Sequence, residues 1–292
     1  SAGFAQPHRV DAHDGGRFRE EVEVGEPRPG SDRIMATNAD GIFALGNRIG
    51  PFLYDSTINR NGDDFFNFLS VSFPVWQVSE TEIAVNRSRA QVSNTFQPGD
   101  TILVLEGNTY REKHRLRFAS AEVRKQNGEL LTVLRFASPL PAGILGNGAD
   151  APDYLVNADA LNAGAVVSGN RFFNGFRMIL RCGDALIENN QMTCRNRRGD
   201  AVHFGLRRYG LNAEIWRAGN VLLRDNRFDL MSDWLPFFCP GGGKSEVINF
   251  DIGIEGNEFR LPRIKRDEEL QRGFDPTLTE RLEIRNNHFS SR

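Results

Sequence analysis

Apolar and polar positions alternate along the chain in short runs, and past residue 165 one such run recurs. It reads Val166-Val167-Ser168-Gly169-Asn170-Arg171-Phe172, then Leu186-Ile187-Glu188-Asn189-Asn190-Gln191-Met192. It returns as Leu222-Leu223-Arg224-Asp225-Asn226-Arg227-Phe228 and as Gly253-Ile254-Glu255-Gly256-Asn257-Glu258-Phe259. The last copy is Leu282-Glu283-Ile284-Arg285-Asn286-Asn287-His288-Phe289. Each is a short alternating strand, a polar turn holding asparagine, and an apolar residue two positions later. Successive asparagines stand 20, 36, 31 and 30 residues apart, so the turns vary in length while the strands repeat. Asparagine tolerates left-handed backbone and can pair its amide with the asparagine of the next repeat. Parallel strands cannot be joined by tight hairpins and need a full circuit of chain between them. The pattern predicts an all-β fold, a right-handed parallel β-helix.

The earlier half carries the same rhythm with different polar residues. Asn38-Ala39-Asp40-Gly41-Ile42 and Asn61-Gly62-Asp63-Asp64-Phe65 each lead into an apolar run, and Asp40 and Asp64 are 24 residues apart. Phe176 leads into Arg177-Met178-Ile179-Leu180, and Asp200 into Ala201-Val202-His203-Phe204, again 24 residues apart. From Asp64 to Phe176 the interval is 112 residues, so an insert separates the second and third rungs. That insert has its own texture. Gln97-Pro98-Gly99-Asp100 is a turn before the strand Thr101–Leu105, and Gln126-Asn127-Gly128-Glu129 is a hairpin turn between Phe118–Val123 and Leu130–Phe136. Short strands at this spacing predict a small antiparallel β-barrel. The expected organisation is helix rungs over 1–71, the barrel over 72–150, and further rungs over 151–292.

The candidate chemistry lies at the acidic pair. If the two apolar runs are neighbouring strands, Asp40 and Asp64 stack about 4.8 Å apart with Asp63 beside them. Like charges at that distance raise one carboxyl pKa and leave another ionised, which separates acid from base. Inverting glycoside hydrolysis uses such a pair about 6.5–9.5 Å apart, with water between. The competing reading is that aspartate at a Gly-Asp turn only caps a rung through backbone N–H groups. Asp200 and His203 are expected in the same cleft, with His203 at the strand position Asn67 holds one motif earlier. Either could bond sugar hydroxyls. Arg177 is expected near the carboxyls, binding a hydroxyl or neutralising Asp64. Trp216 and Trp234 could stack on a sugar or pack down a long turn.

Composition narrows the classes. With 29 Gly, 22 Phe and net charge −2, the chain suits a turn-rich β protein with stacked aromatics, and no overall field favours nucleic acid or an anionic membrane. No run is long enough to span a bilayer. Cys182, Cys194 and Cys239 make no disulfide framework, and no His/Cys cluster has metal spacing. Neither a metal nor another cofactor is expected. Gly241-Gly242-Gly243-Lys244-Ser245 fails as a phosphate loop because Phe238 stands where its first glycine should. The chain starts at Ser1 without a legible secretory leader, as a mature chain or a fragment lacking its first rungs would. An extracytoplasmic location is expected.

The acidic motifs resemble those of the family 28 glycoside hydrolases, the polygalacturonases. That resemblance implies Asp63 as general acid and Asp40 with Asp64 as the pair holding water. Phe65 stands where that family has cysteine, the Gly-His-Gly motif is missing, and Arg263-Ile264-Lys265 only mimics its Arg-Ile-Lys. Over residues 35–230 the rung pattern and the insert are nearer to family 110, the α-1,3-galactosidases. Asn170 to Leu180 looks like that family's post-barrel rung, and Leu206 to Asn220, with Trp216, like its long turn. The resemblance implies an inverting, metal-free α-galactosidase acting on a glycan. The readings it competes with are a non-catalytic glycan-binding or spike-like β-helix and a calcium-dependent polysaccharide lyase, which would use the carboxylates as ligands.

Overall fold

The computed structural model describes residues 40–59, 63–70, 72–86, 96–107, 109–126, 128–145, 152–194, 201–205, 207–209, 212–214, 218–230, 236–238 and 249–291. The described residues are nearly all β, with one short α-helix. The first stretch holds β1 (Ile42–Leu45), β2 (Phe52–Tyr54), β3 (Thr57–Asn59) and β4 (Phe66–Leu69). An inserted run follows: β5 (Ser72–Ser79), β6 (Glu82–Asn86), β7 (Thr101–Leu105), β8 (Glu112–Arg117), β9 (Ser120–Gln126), β10 (Glu129–Arg135) and β11 (Tyr154–Asn157). Then come β12 (Ala165–Ser168), β13 (Arg171–Phe173), β14 (Met178–Arg181), β15 (Gly183–Glu188), β16 (Gln191–Cys194) and β17 (Val202–Phe204). After the hairpin β18 (Arg207–Tyr209) and β19 (Asn212–Glu214) lie β20 (Gly219–Arg224), β21 (Arg227–Leu230) and β22 (Phe237–Phe238). The chain ends with β23 (Asn249–Glu255), β24 (Glu258–Arg260), α1 (Asp267–Leu270), a 3₁₀ turn at Gln271–Gly273, β25 (Thr279–Arg285) and β26 (His288–Ser290).

Outside the insert and the β18–β19 hairpin, these strands fall into three sheets. The orders are β1-β4-β14-β17-β22, β2-β12-β15-β20-β23-β25 and β26-β24-β21-β16-β13-β3, and the pairings are parallel throughout. The chain visits the first, second and third sheet in that cyclic order, so each circuit adds one strand to each, except the last, which adds β25 and β26 only. The apolar residue after each asparagine turn makes a column in the third sheet, Ile58-Phe172-Met192-Phe228-Phe259-Phe289. Phe228 and Phe259 stack at 5.1 Å and Phe259 and Phe289 at 5.5 Å. Val167, Ile187, Leu223 and Ile254 fill the second sheet's inner face, each fully buried. In-register strands stack like on like, which lays phenylalanine on phenylalanine through the core.

The asparagines form a ladder. The Nδ2 of Asn170, Asn190, Asn226 and Asn257 each donates to the Oδ1 of the next member, the last to Asn287, at 2.9–3.0 Å. Each of these Oδ1 atoms also accepts the backbone N–H of the preceding ladder residue, and each Nδ2 also reaches a strand carbonyl. The left-handed residue is the one before each asparagine: Gly169, Asn189, Asp225, Gly256 and Asn286 all have positive φ. Left-handed geometry thus falls one position earlier than the turn reading placed it, and on asparagine itself only at Asn189 and Asn286. The first circuit puts Ser56 at the ladder position, its N–H donating to Asn170 Oδ1 at 2.9 Å.

The insert is a single antiparallel sheet in the order β8-β7-β11-β5-β6-β10-β9. β9 and β10 meet as expected around the Asn-Gly turn, with Gln126 opposite Glu129. The sheet takes in β11, beyond the boundary expected at residue 150, because Tyr154–Val156 pair with both β5 and β7. Its own apolar cluster includes Phe73, Ile83, Ile102, Phe118, Leu134 and Leu155. Asp100 ties it to the first circuit, accepting both Arg48 guanidinium nitrogens at 2.8 and 2.5 Å and Asn157 Nδ2 at 2.8 Å. In the last circuit α1 and the 3₁₀ turn close the end of the first sheet. Leu270 and Phe274 join the body's core, and Gly273 lies so near β22 that a Cβ would stand 2.1 Å from the Phe237 carbonyl oxygen. Cys182 and Cys194 are buried free thiols; Cys239 and the Gly241–Ser245 run lie outside the described residues. No described helix is long and apolar enough to cross a membrane.

Candidate active site

Strand register builds the acidic site. β1 and β4 pair with Ile42 opposite Phe66, and Gly41 N–H donates to the Asp64 carbonyl at 2.9 Å. Asp40 and Asp64 therefore occupy equivalent positions on neighbouring strands, as the 24-residue interval predicts. Gly41 is needed for that approach, since a Cβ there would meet Ile58 Cγ2 and the Phe65 carbonyl at 2.8 Å. One oxygen from each of Asp40, Asp63 and Asp64 lies within 4.8 Å of the others. Their surroundings differ: Asp64 is buried at 5% exposure, Asp40 is half-buried and Asp63 exposed.

The third circuit delivers Arg177. β14 joins β4 with Met178 opposite Phe66, Phe65 N–H donates to the Arg177 carbonyl at 2.7 Å, and Phe176 N–H donates to that of Asp63 at 3.2 Å. Arg177 Nε then donates to Asp64 Oδ1 at 3.0 Å. Of the two roles expected of Arg177, neutralising Asp64 is the one the contact shows. It does not hold the carboxyl low. Burial lifts Asp64 from 3.8 to about 7 against the attraction of Arg177, and the charges of Asp63 and Asp40 add to the rise. A carboxyl taken out of water loses more solvation than one guanidinium returns. Burial thus sets Asp64 apart from its two more accessible neighbours, in the direction that favours its neutral form.

The column that Asn67 and His203 were expected to share exists, with Ile179 between them. Both ends are buried, Asn67 at 6% and His203 at 2%, so neither lies on an open face of the sheet. Arg181, fully buried on β14, belongs with them: its Nε donates to the Gly205 carbonyl at 2.7 Å and its Nη1 to Asn67 Oδ1 at 3.5 Å. The sequence reading overlooked Arg181, although it shares the strand parity of Asn67 and His203. Asp200, Trp216 and Trp234 lie outside the described residues. The three clustered carboxylates supply the hard oxygens that calcium or magnesium prefers, and could hold such an ion. A scan against protein-family models matches none, and no curated protein matches the sequence.

Proposed function

We propose that this protein is a carbohydrate-active hydrolase cleaving a glycosidic bond, α-galactosidic by its resemblance, at Asp40, Asp63 and Asp64. In this reading the three parallel sheets are the faces of a right-handed β-helix, each circuit of chain is one rung, and the insert folds as a small barrel beside the site. The observation that carries it is three carboxyls within 4.8 Å of one another, Asp64 buried and Asp40 and Asp63 more accessible; that burial is what lifts the Asp64 pKa to about 7. Acid–base hydrolysis needs that division of protonation states. Asp63 presents its carboxyl to the leaving group, and burial makes Asp64 the member that supplies the proton across the cluster. The resemblance had placed the proton on Asp63 itself. Asp40 remains to orient water or attack.

Spacing bears on stereochemistry. Oxygens within 4.8 Å are nearer the ~5–5.5 Å of retaining enzymes than the 6.5–9.5 Å of inverting ones, against the inversion the resemblance implies. The same tightness favours a second reading, a lyase whose carboxylates share a divalent cation. Proton NMR on a panel of α-galactosides and galacturonan oligosaccharides tests all of this, with Asp63→Asn alongside. A saturated reducing sugar as product establishes hydrolysis, its loss in the variant assigns Asp63 to the reaction, and the first anomer formed separates inversion from retention. An unsaturated product that requires added calcium supports the lyase. Saturable binding without turnover leaves a glycan-binding protein.

A further inference from the structure

Three contacts converge on the turn that delivers Arg177 to the acidic cluster. Asn174, left-handed at φ 55°, donates its N–H to the Thr193 carbonyl at 3.2 Å. Phe176 N–H donates to the Asp63 carbonyl, one circuit earlier in the chain, at 3.2 Å. From one circuit later comes Cys194, the last residue of β16, buried at 6% exposure. Its Sγ stands 3.1 Å from the Gly175 carbonyl oxygen and 3.3 Å from that of Phe176.

A trans peptide unit points its C=O and its N–H in opposite directions. The unit joining Gly175 to Phe176 is therefore held at both ends, by Cys194 at its oxygen and by Asp63 at its N–H. The Phe176 oxygen belongs to the next unit, whose nitrogen is that of Arg177. The same sulfur thus restrains the plane from which the Arg177 side chain departs. Within β14 the carbonyls are met by backbone donors of the following strand, as Gly205 N–H meets Leu180 at 3.0 Å. At the turn a thiol stands in that place. One S–H shared between two carbonyls is a weak donor, enough to orient a turn and too little to hold a fold together.

We propose that Cys194 is a positioning residue of the acidic site, its thiol orienting the Gly175 and Phe176 carbonyls so that Arg177 meets Asp64. The link runs from Sγ to the two peptide planes, and from Arg177 Nε to Asp64 Oδ1 at 3.0 Å. This rests on the carboxyl cluster being the functional site but not on its being hydrolytic.

The test is proton–nitrogen NMR of the arginine side chains in the full 292-residue chain. The Arg177 Nε–H signal is assigned by its loss in Arg177→Met, and its exchange with water reports the bond to Asp64. Arg181, buried on the same strand with its Nε on the Gly205 carbonyl, is the internal control. In Cys194→Ala, exchange at Arg177 should quicken about tenfold while Arg181 stays as in the wild type. Cys194→Ser, which keeps a donor, should bring Arg177 back to within about twofold. Cys194→Val, apolar and closer in volume to cysteine, replaces the alanine variant if that folds poorly, and should quicken Arg177 likewise. An unchanged Arg177 signal in the folded variants overturns the proposal even where thermal unfolding shows lost stability, because a thiol that only packs would do that. Equal quickening in Cys194→Ala and Cys194→Ser overturns it too, since volume and not the donor would then matter. The expected pattern in a protein that cleaves no glycoside upholds the role of Cys194 and removes the hydrolase.

Discussion

Two polar stacks run across the parallel strands of this protein, and they obey opposite chemistry. In one, Asn170, Asn190, Asn226, Asn257 and Asn287 lie over one another along the turns between the second and third sheets. In the other, Asp40 and Asp64 lie over one another at the lead-in to the first sheet, with Asp63 at their side. Both arise from the same device, parallel strands in register about 4.8 Å apart. An amide carries donor and acceptor, so a stack of amides satisfies itself; a carboxylate only accepts, so a stack of carboxylates repels itself. Register amplifies whatever the side chain brings. It turns one column into a bonded ladder and the other into a crowd of carboxyls, whose mutual repulsion adds to the rise that burial already gives Asp64.

The comparison breaks most severely if the ladder is given the other stack's chemistry. Asn226→Asp keeps the acceptor for Asn190 but loses the donor to Asn257 Oδ1 and the Ile187 carbonyl, and it buries a charge beside both. We expect a loss of more than ~5 kcal/mol at pH 7 in urea unfolding. The introduced carboxyl would have its folded pKa raised above the unfolded value. Its neutral form can donate, so the loss should shrink as pH falls below about 5.

The reverse exchange should stabilise. Asp64→Asn removes the carboxyl that burial raises to about 7. Between the unfolded 3.8 and that value the native state holds the extra proton, so this group's favourable contribution is present at low pH and lost as pH rises through about 7. The variant should match the wild type at pH 4 and exceed it at pH 8 by on the order of 4 kcal/mol at most. Thermal unfolding at the two pH values checks it, and turnover should fall about 10²–10⁴-fold. A variant no more stable at pH 8 would mean that Arg177 wins after all.

How much of this was legible beforehand follows the same division. The ladder was readable because each rung repeats one residue in one local frame, and the 24-residue interval placed Asp40 against Asp64. What local pattern could not supply was environment. The rung alignment did bring Arg177 to Asp64, 113 positions away in the chain, but the raised Asp64 pKa follows from burial that the exposed neighbour Asp63 does not share. Asn67 and His203 have the parity of outward-facing residues yet are buried. Alternation reports which face of a sheet a residue occupies, not whether something covers that face. Tyr154–Val156 joined the insert for a related reason: an apolar run declares a buried strand but not its partner.

A smaller effect isolates the guanidinium. Arg177→Met keeps the stem and removes the charge and the bond to Asp64 Oδ1. Both act to lower the Asp64 carboxyl, so its pKa should rise further. The variant should lose roughly 1–2 kcal/mol above pH 7 and almost nothing at pH 4. Any pH–rate profile should move its limb from Asp64 upward, and a limb that stays in place would assign it to a different group.

The smallest effect belongs at the ladder's free end. Asn287→Ala removes the acceptor for Asn257 N–H and Nδ2, at 2.9 and 3.0 Å, and the donor to the Ile254 carbonyl and to Asp267 Oδ1, at 3.0 and 2.8 Å. The bonds match those of Asn226 in number and length, but Asn287 is only half-buried where Asn226 is 2% exposed. Water can replace the lost partners at the end of the stack and not in its middle. We expect about 1 kcal/mol for Asn287→Ala against ~3–5 kcal/mol for Asn226→Ala, measured by urea unfolding. Equal losses would mean that the ladder acts through cooperative polarisation along its whole length, not through the desolvation of each rung.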